Sequence, residues 1–257
     1  MRLLSTSDRS IHDFMNEVPE YAILSHTWED EEVTFQDVQA GNAEAKKGYQ
    51  KIKKSCQIAE QDNIQWIWVD TCCIDKTSSA ELTENINSMY VYYQNAIICY
   101  AYLSDVDYND GDFELEMRAS RWFTRGWTLQ ELIAPTSLRF YSKGWNLLTS
   151  KTVAAKLLFT ITGIDVEVLQ GTSPLFRNIA ERMSWASQRR TTRGEDMAYS
   201  LMGIFGVNMP PIYGEGVASA FIRLQQEIIR RTSDQTSKTS TFHYRLKRFK
   251  SIRSGAR

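Results

Sequence analysis

Apolar residues along this chain fall into two alternating patterns, short unbroken runs and longer stretches with a helical period. Tyr21-Ala22-Ile23-Leu24 runs without a polar interruption into Ser25-His26-Thr27-Trp28. That pattern predicts a strand buried on both faces, with Ser25 and His26 at its C-terminal end. Comparable runs predict strands over residues 64–70, 96–103 and 138–141. In the second of these four strands Trp66 and Trp68 alternate with Ile67 and Val69 and read as core. Between the strands the spacing lengthens. Tyr49, Ile52, Cys56 and Ala59 recur at three- and four-residue steps, which predicts a helix over 43–62. Leu82, Ile86, Met89, Tyr90 and Tyr93 form the stripe of another, capped by Ser78 or Ser79, with Glu81 and Glu84 in its first turns. Asn109-Asp110-Gly111 marks a loop, and residues 122–132 predict a helix stopped by Pro135.

Strand–helix–strand alternation with right-handed crossovers implies an α/β domain with a doubly wound, mainly parallel sheet over residues 1–150. Beyond residue 150 the strand pattern fades. Helices are expected over 153–162, 178–187, 195–205 and 217–231, so residues 151–231 read as a C-terminal helical extension of the same domain. Gly163, Pro174 and Pro210-Pro211 punctuate them.

Composition supports folding: 42% of the 257 residues are hydrophobic and 24% charged. Charge is uneven. Residues 231–257 carry eight Lys/Arg against Asp234, a net +7 that leaves −8 for the rest of a chain whose total is −1. An acidic body argues against specific nucleic-acid binding. The stretch 232–257 lacks apolar periodicity and is expected to be a basic, disordered, solvated tail. Cys56, Cys72, Cys73 and Cys99 form no CxxC pair, Met1 to Ser10 has no secretory pattern, and no apolar run approaches the roughly 18 residues of a membrane span. A reduced, cytoplasmic protein without a transmembrane segment is expected.

In an open parallel sheet, ligands bind beyond the carboxyl ends of the strands. Applied here, the rule gathers Ser25, His26, Trp28, Asp70, Cys72, Asp75, Ser104 and Asp105 on one rim, and the helix starting at Trp122 would bring Arg125, Trp127 and Glu131 to it. GxGxxG, GxxxxGK[ST] and GxSxG are all absent, which argues against a dinucleotide fold of the dehydrogenase type, a P-loop and a serine-hydrolase elbow. His12, His26 and His243 are scattered, so no metal site or cofactor is expected. Each rim residue also has a structural reading. Cys72 can be a small buried hydrophobe rather than the thiol partner of His26. Asp70 and Asp75 can cap the following turn, Glu131 can pair with Arg125, and Glu84 can serve only its helix N-terminus.

Three blocks resemble those that define the fungal heterokaryon-incompatibility (HET) family: Tyr21 to Trp28, Trp66-Ile67-Trp68-Val69-Asp70-Thr71-Cys72-Cys73-Ile74-Asp75-Lys76, and Arg125-Gly126-Trp127-Thr128-Leu129-Gln130-Glu131-Leu132-Ile133-Ala134-Pro135. Residues 192–205 and Pro211-Ile212-Tyr213-Gly214-Glu215-Gly216 resemble its downstream blocks. The family governs non-self recognition and regulated cell death, and is similar in turn to TIR domains. After Arg231 the chain departs from the family pattern, in which many members continue into a nucleotide-binding oligomerisation module and repeats. Trp127-Thr128-Leu129-Gln130-Glu131-Leu132 is similar to the W-C-x-x-E-L segment of TIR domains, with Thr128 in place of Cys. In the enzymatic members that Glu is catalytic in cleaving NAD. The resemblance thus implies Glu131 as catalytic, with Ser25, His26, Trp28, Asp70, Cys72, Asp75, Arg125 and Trp127 around a bound NAD. The alternative it implies is a non-catalytic adaptor that acts by self-association or with another incompatibility protein.

Overall fold

The computed structural model describes residues 1–107 and 113–235. Seven strands form one sheet: β1 (Arg2–Ser5), β2 (Ile11–Asp13), β3 (Ala22–His26), β4 (Trp66–Trp68), β5 (Ile98–Tyr102), β6 (Leu138–Tyr141) and β7 (Leu147–Ser150), ordered β2-β1-β4-β3-β5-β6-β7. The centre is parallel, β4 with β3, β3 with β5 and β5 with β6. Every residue of β3 is buried, as its unbroken apolar run requires.

Both edges depart from the expected parallel arrangement. Arg2–Ser5 and Ile11–Asp13 form an antiparallel hairpin, with Arg2 opposite Asp13 and Leu4 opposite Ile11. Its turn holds Arg9 at φ 62°, and the Asp8 carboxylate accepts the Ser10 amide at 3.0 Å. At the far edge β7 runs antiparallel to β6 through an irregularity at Phe140/Tyr141. The sheet is therefore mixed.

Helices Tyr49–Gln61 and Ser79–Asn95 cover opposite faces of the sheet. Tyr100 shows which helix takes which face. Its hydroxyl reaches Asp62, just past the first helix, at 2.8 Å, whereas Trp68, on the other face, packs edge-on against Tyr93 of the second. Ser78 caps the second helix by accepting the Glu81 amide at 3.3 Å. The first helix is shorter than its periodicity suggests, because residues 43–45 form a separate 3-10 turn.

The helix expected over 122–132 is broken. Arg121–Thr124 is a 3-10 turn, Arg125 is extended, and a new helix spans Thr128–Ile133. Gly126 explains the break. Its amide donates to the Arg190 carbonyl at 2.9 Å, and a Cβ at this position would collide with the Thr191 methyl. Residues 195–205 divide likewise into Asp196–Tyr199 and Met202–Phe205. The Ala155–Thr162 and Ile179–Ser184 helices follow the expected pattern, and the last helix extends to Gln235. The expected loop at 109–111 and nearly all of the basic tail lie outside the described residues. One continuous apolar core runs from Leu3 to Ile228. No helix among the described residues is long and apolar enough to cross a membrane.

Candidate active site

Successive side chains of a strand point to opposite faces, so β3 delivers Ser25 and His26 to different layers. On one face Ser25 donates a short hydrogen bond to Glu131 Oε2 and accepts another from Trp122 Nε1 at 2.9 Å. The Tyr93 phenol, whose O–H goes to the Leu24 carbonyl at 3.2 Å, stands beside the same carboxyl. Glu131 is only 7% exposed. Burial raises its carboxyl from 4.5 to about 8, while the Ser25 bond and the nearby Arg189 guanidinium oppose that rise and Asp70 adds to it. At neutral pH the group holds a proton.

The short helix that carries Glu131 is fixed at both ends. Arg189 Nη1 donates to the Arg125 carbonyl and to Thr128 Oγ1, each at 2.8 Å. Thr128, which stands in place of the Cys of the similar segment, thus ties the turn to a distant arginine. At the other end buried Lys151 donates to the carbonyls of Leu132 at 3.2 Å and Pro135, closing the C-terminus. Burial brings the Lys151 ammonium down to about 8.

On the opposite face His26 is enclosed with two carboxylates and two ammonium groups. Its Nε2 lies 3.8 Å from Glu32 and 3.9 Å from Asp70, and neither ring nitrogen has a hydrogen-bond partner among the described residues. Burial, reinforced by Lys51 and Lys76, holds its pKa well below the ordinary value, so the ring is neutral. Lys51 binds Glu32 at 2.5 Å. Half-exposed Trp28 donates Nε1 to Asp70 at 2.9 Å, and the Lys76 ammonium sits 3.6 Å above its ring.

The expected rim is therefore two clusters rather than one pocket. Ser25 and Glu131 meet, and His26, Trp28 and Asp70 meet behind them. Cys72 joins neither. It is fully buried, with its thiol 3.4 Å from the Val33 carbonyl and a pKa pushed well up by burial, so it packs as a small hydrophobe. Asp75 accepts the Thr77 amide at 2.9 Å and Gln36 Nε2 at 2.7 Å, which holds a turn. Arg125 points to Thr192 Oγ1 at 3.0 Å instead of pairing with Glu131, and the Trp127 indole lies beside Asp196, away from Glu131. Asp105 accepts from Ser120 and from the Arg121 amide, and so anchors the Arg121–Thr124 turn. Sequence reasoning did not pick out Arg189, Lys51 or Glu32, whose neighbourhoods carry no motif that points to this rim. Tyr93, Trp122 and Lys76 lay inside predicted elements or blocks without an assigned role. Among the described residues no group of His, Cys, Asp and Glu is arranged to hold a metal.

An α/β sheet with a buried Ser–Glu pair at its strand tips is the context in which the comparisons with known proteins fall. Residues 21–120 match the family described as Heterokaryon incompatibility protein (HET), and the chain belongs to that family. Its sequence is 46% identical over 241 residues to the vegetative incompatibility protein HET-E-1 of Podospora anserina, an alignment that covers 89% of this chain and 18% of that protein. The chain thus spans less than a fifth of that relative's length. No solved structure matches it.

Proposed function

We propose that this chain is the effector domain of a heterokaryon-incompatibility reaction, acting in the cytosol as a TIR-like NAD hydrolase whose activation kills the cell. The observation that carries this reading is the buried Ser25–Glu131 pair at the tip of β3. Similarity to the HET family and to a vegetative incompatibility protein supports the biological role.

In this reaction the bond from ribose C1′ to the nicotinamide nitrogen breaks and its electron pair leaves with neutral nicotinamide. Water then forms the new C1′–O bond, releasing ADP-ribose and a proton. Because the leaving group is cationic beforehand, no strong general acid is needed. Ionised Glu131 would offset charge developing on the sugar and hold a ribose hydroxyl. Ser25 would orient the carboxylate. Since Glu131 is walled in by Trp122, Tyr93 and Ser25, turnover requires the Arg121–Trp127 segment to move aside, which fits activity gated by assembly.

The test is nicotinamide release from NAD by purified, concentrated protein beside its Glu131→Gln variant. Loss of a preorganised electrostatic group costs about 3–4 kcal/mol, so the variant should fall by roughly two to three orders of magnitude with its fold intact. Wild-type release should rise as pH climbs toward and past the Glu131 value of about 8. Equal turnover in both proteins defeats the assignment.

The enclosure of Glu131 favours one second reading, a non-catalytic adaptor that signals by self-association. It predicts toxicity in a fungal host that persists in Glu131→Gln while cellular NAD stays constant.

A further inference from the structure

The helix Tyr49–Gln61 and the tips of β5 and β6 flank an open cavity of about 530 Å³, within the range of small-molecule sites. It lies on the His26 face of the sheet. Tyr102, which lines it, is level with His26 in the β3–β5 register, whereas Glu131 meets Ser25 on the other face. The cavity therefore stands apart from the Ser25–Glu131 pair, while Lys51 joins it to the His26 cluster on its own face.

Its walls differ in chemistry. One is basic. Lys51 is buried and engaged with Glu32, and Lys47 pairs with Glu31 at 3.1 Å. Lys54 and Lys143 also line the cavity, and neither has an acidic partner within ion-pair distance among the described residues. Gly48, at the N-terminus of the Tyr49 helix, also lines the cavity, with its amide bonded to the Glu31 carbonyl at 3.1 Å. The other wall is aromatic. Tyr102 and Trp145 stack with centroids 4.5 Å apart and planes 16° from parallel.

Trp145 is held there against its backbone preference. Its φ of 62° lies in the left-handed region, which a bulky residue avoids. The turn that imposes this is heavily tied. The Trp145 amide donates to Ser142 O at 2.8 Å, Ser142 N to Asn146 O at 2.9 Å, and the Tyr102 hydroxyl to Lys143 O at 3.2 Å. One side of the Trp145 ring packs on buried Tyr141, with centroids 5.9 Å apart, yet Trp145 and Tyr102 both remain partly exposed to the cavity. Glu29 and Asp30 also line the cavity, Glu29 being paired with Arg121, and strain sustained to present an aromatic ring beside the two unpaired lysines is a feature of binding sites.

We infer that this cavity binds a nucleoside phosphate, with the phosphates on Lys54 and Lys143 and the base against Trp145. Asp30, which also lines the cavity, is the natural acceptor for a sugar hydroxyl or exocyclic amine. The site is separate from the Ser25–Glu131 pair, and its occupancy does not depend on whether that pair is catalytic.

The test is titration of the full chain with a fluorescent N-methylanthraniloyl ADP, read by energy transfer from tryptophan, with ADP and inorganic pyrophosphate as competitors. Saturable binding is expected. The Lys54→Gln/Lys143→Gln double variant should weaken it by about tenfold or more, with a shallower salt dependence. Trp145→Gly, which relieves the backbone strain while removing the ring, should weaken ADP but leave pyrophosphate unchanged. Glu131→Gln should bind as wild type does. Thermal melts confirm that the variants fold. Absence of saturable binding, or equal binding by the double variant, overturns the proposal, and so does loss of binding in Glu131→Gln. Pyrophosphate competing as well as ADP overturns the nucleoside assignment.

Discussion

Glu131 controls more than the proposed reaction, because a carboxyl forced to keep its proton ties folding to pH. Its folded value of about 8 lies above the ordinary 4.5, so the native state binds the proton more tightly than the unfolded chain does. The resulting stability is complete below the unfolded value and is lost as pH rises through the folded one. Glu131→Gln keeps the acceptor for Ser25 and has nothing to titrate. Between about pH 5 and pH 8 the wild type should therefore lose stability relative to the variant, by an amount on the order of a few kcal/mol. Urea denaturation of both proteins across this range measures the difference, and parallel pH profiles would show that Glu131 stays ionised. Stopping at about pH 8 also keeps clear of Lys151, whose depressed value gives a slope of opposite sign above it. Single-residue roles of this kind were only half legible. The family segment singled out Glu131, but the proton it keeps comes from burial beneath side chains such as Tyr93 and Trp122, which lie outside that segment.

Among elements, legibility followed burial. Strands β3 to β6 are covered by the sheet's own layers and read directly as apolar runs. The outer strands did not: Ile11–Asp13 and Leu147–Ser150 are short and partly exposed, and Arg2–Ser5, though buried beyond Arg2, takes its antiparallel pairing from the turn that follows it. The break at Arg125-Gly126-Trp127 was hidden for a different reason. Its apolar period continues through, and what interrupts it is a backbone bond to Arg190 and a close approach by Thr191, over 60 positions away. That contact makes a defined prediction. Gly126→Ala drives a methyl into the Thr191 Cγ2, an overpacking that costs about 1–3 kcal/mol. Thr191→Ser removes the obstructing methyl while keeping the hydroxyl that donates to the Arg193 carbonyl. In the double variant most of the loss should be recovered, so the melting temperatures of the four proteins in the cycle should be strongly non-additive. Additive losses would mean that Gly126 is required for its backbone alone.

For the whole molecule, the matched family region of residues 21–120 is only part of what holds the sheet together. The downstream blocks clasp one another and the sheet layer. Glu195 accepts the amides of Gly214 and Gly216 at 3.1 and 3.2 Å, and the Tyr199 hydroxyl binds Glu215, which also takes Arg223 at 2.6 Å. Asn87, on the helix behind the sheet, exchanges hydrogen bonds with both backbone groups of Met209, and Gly203 packs so closely on Tyr90 that no side chain fits between them. Arg189 reaches back to fix the turn that carries Glu131. A fragment of residues 1–150 keeps every strand yet loses all of these contacts. It also uncovers apolar surface that Met202, Ile204, Phe205 and Leu224 bury in the intact chain. With backbone entropy of about 1–2 kcal/mol per residue to offset and part of its core missing, such a fragment should retain secondary structure without fixed packing. Far-ultraviolet dichroism near that of the parent, loss of the near-ultraviolet signal, dye binding and a broad thermal transition are expected for residues 1–150. Residues 1–235 should melt cooperatively. If the shorter fragment unfolded in one sharp transition, the helical extension would be a separable appendage and the geometry around Glu131 would have to arise without Arg189.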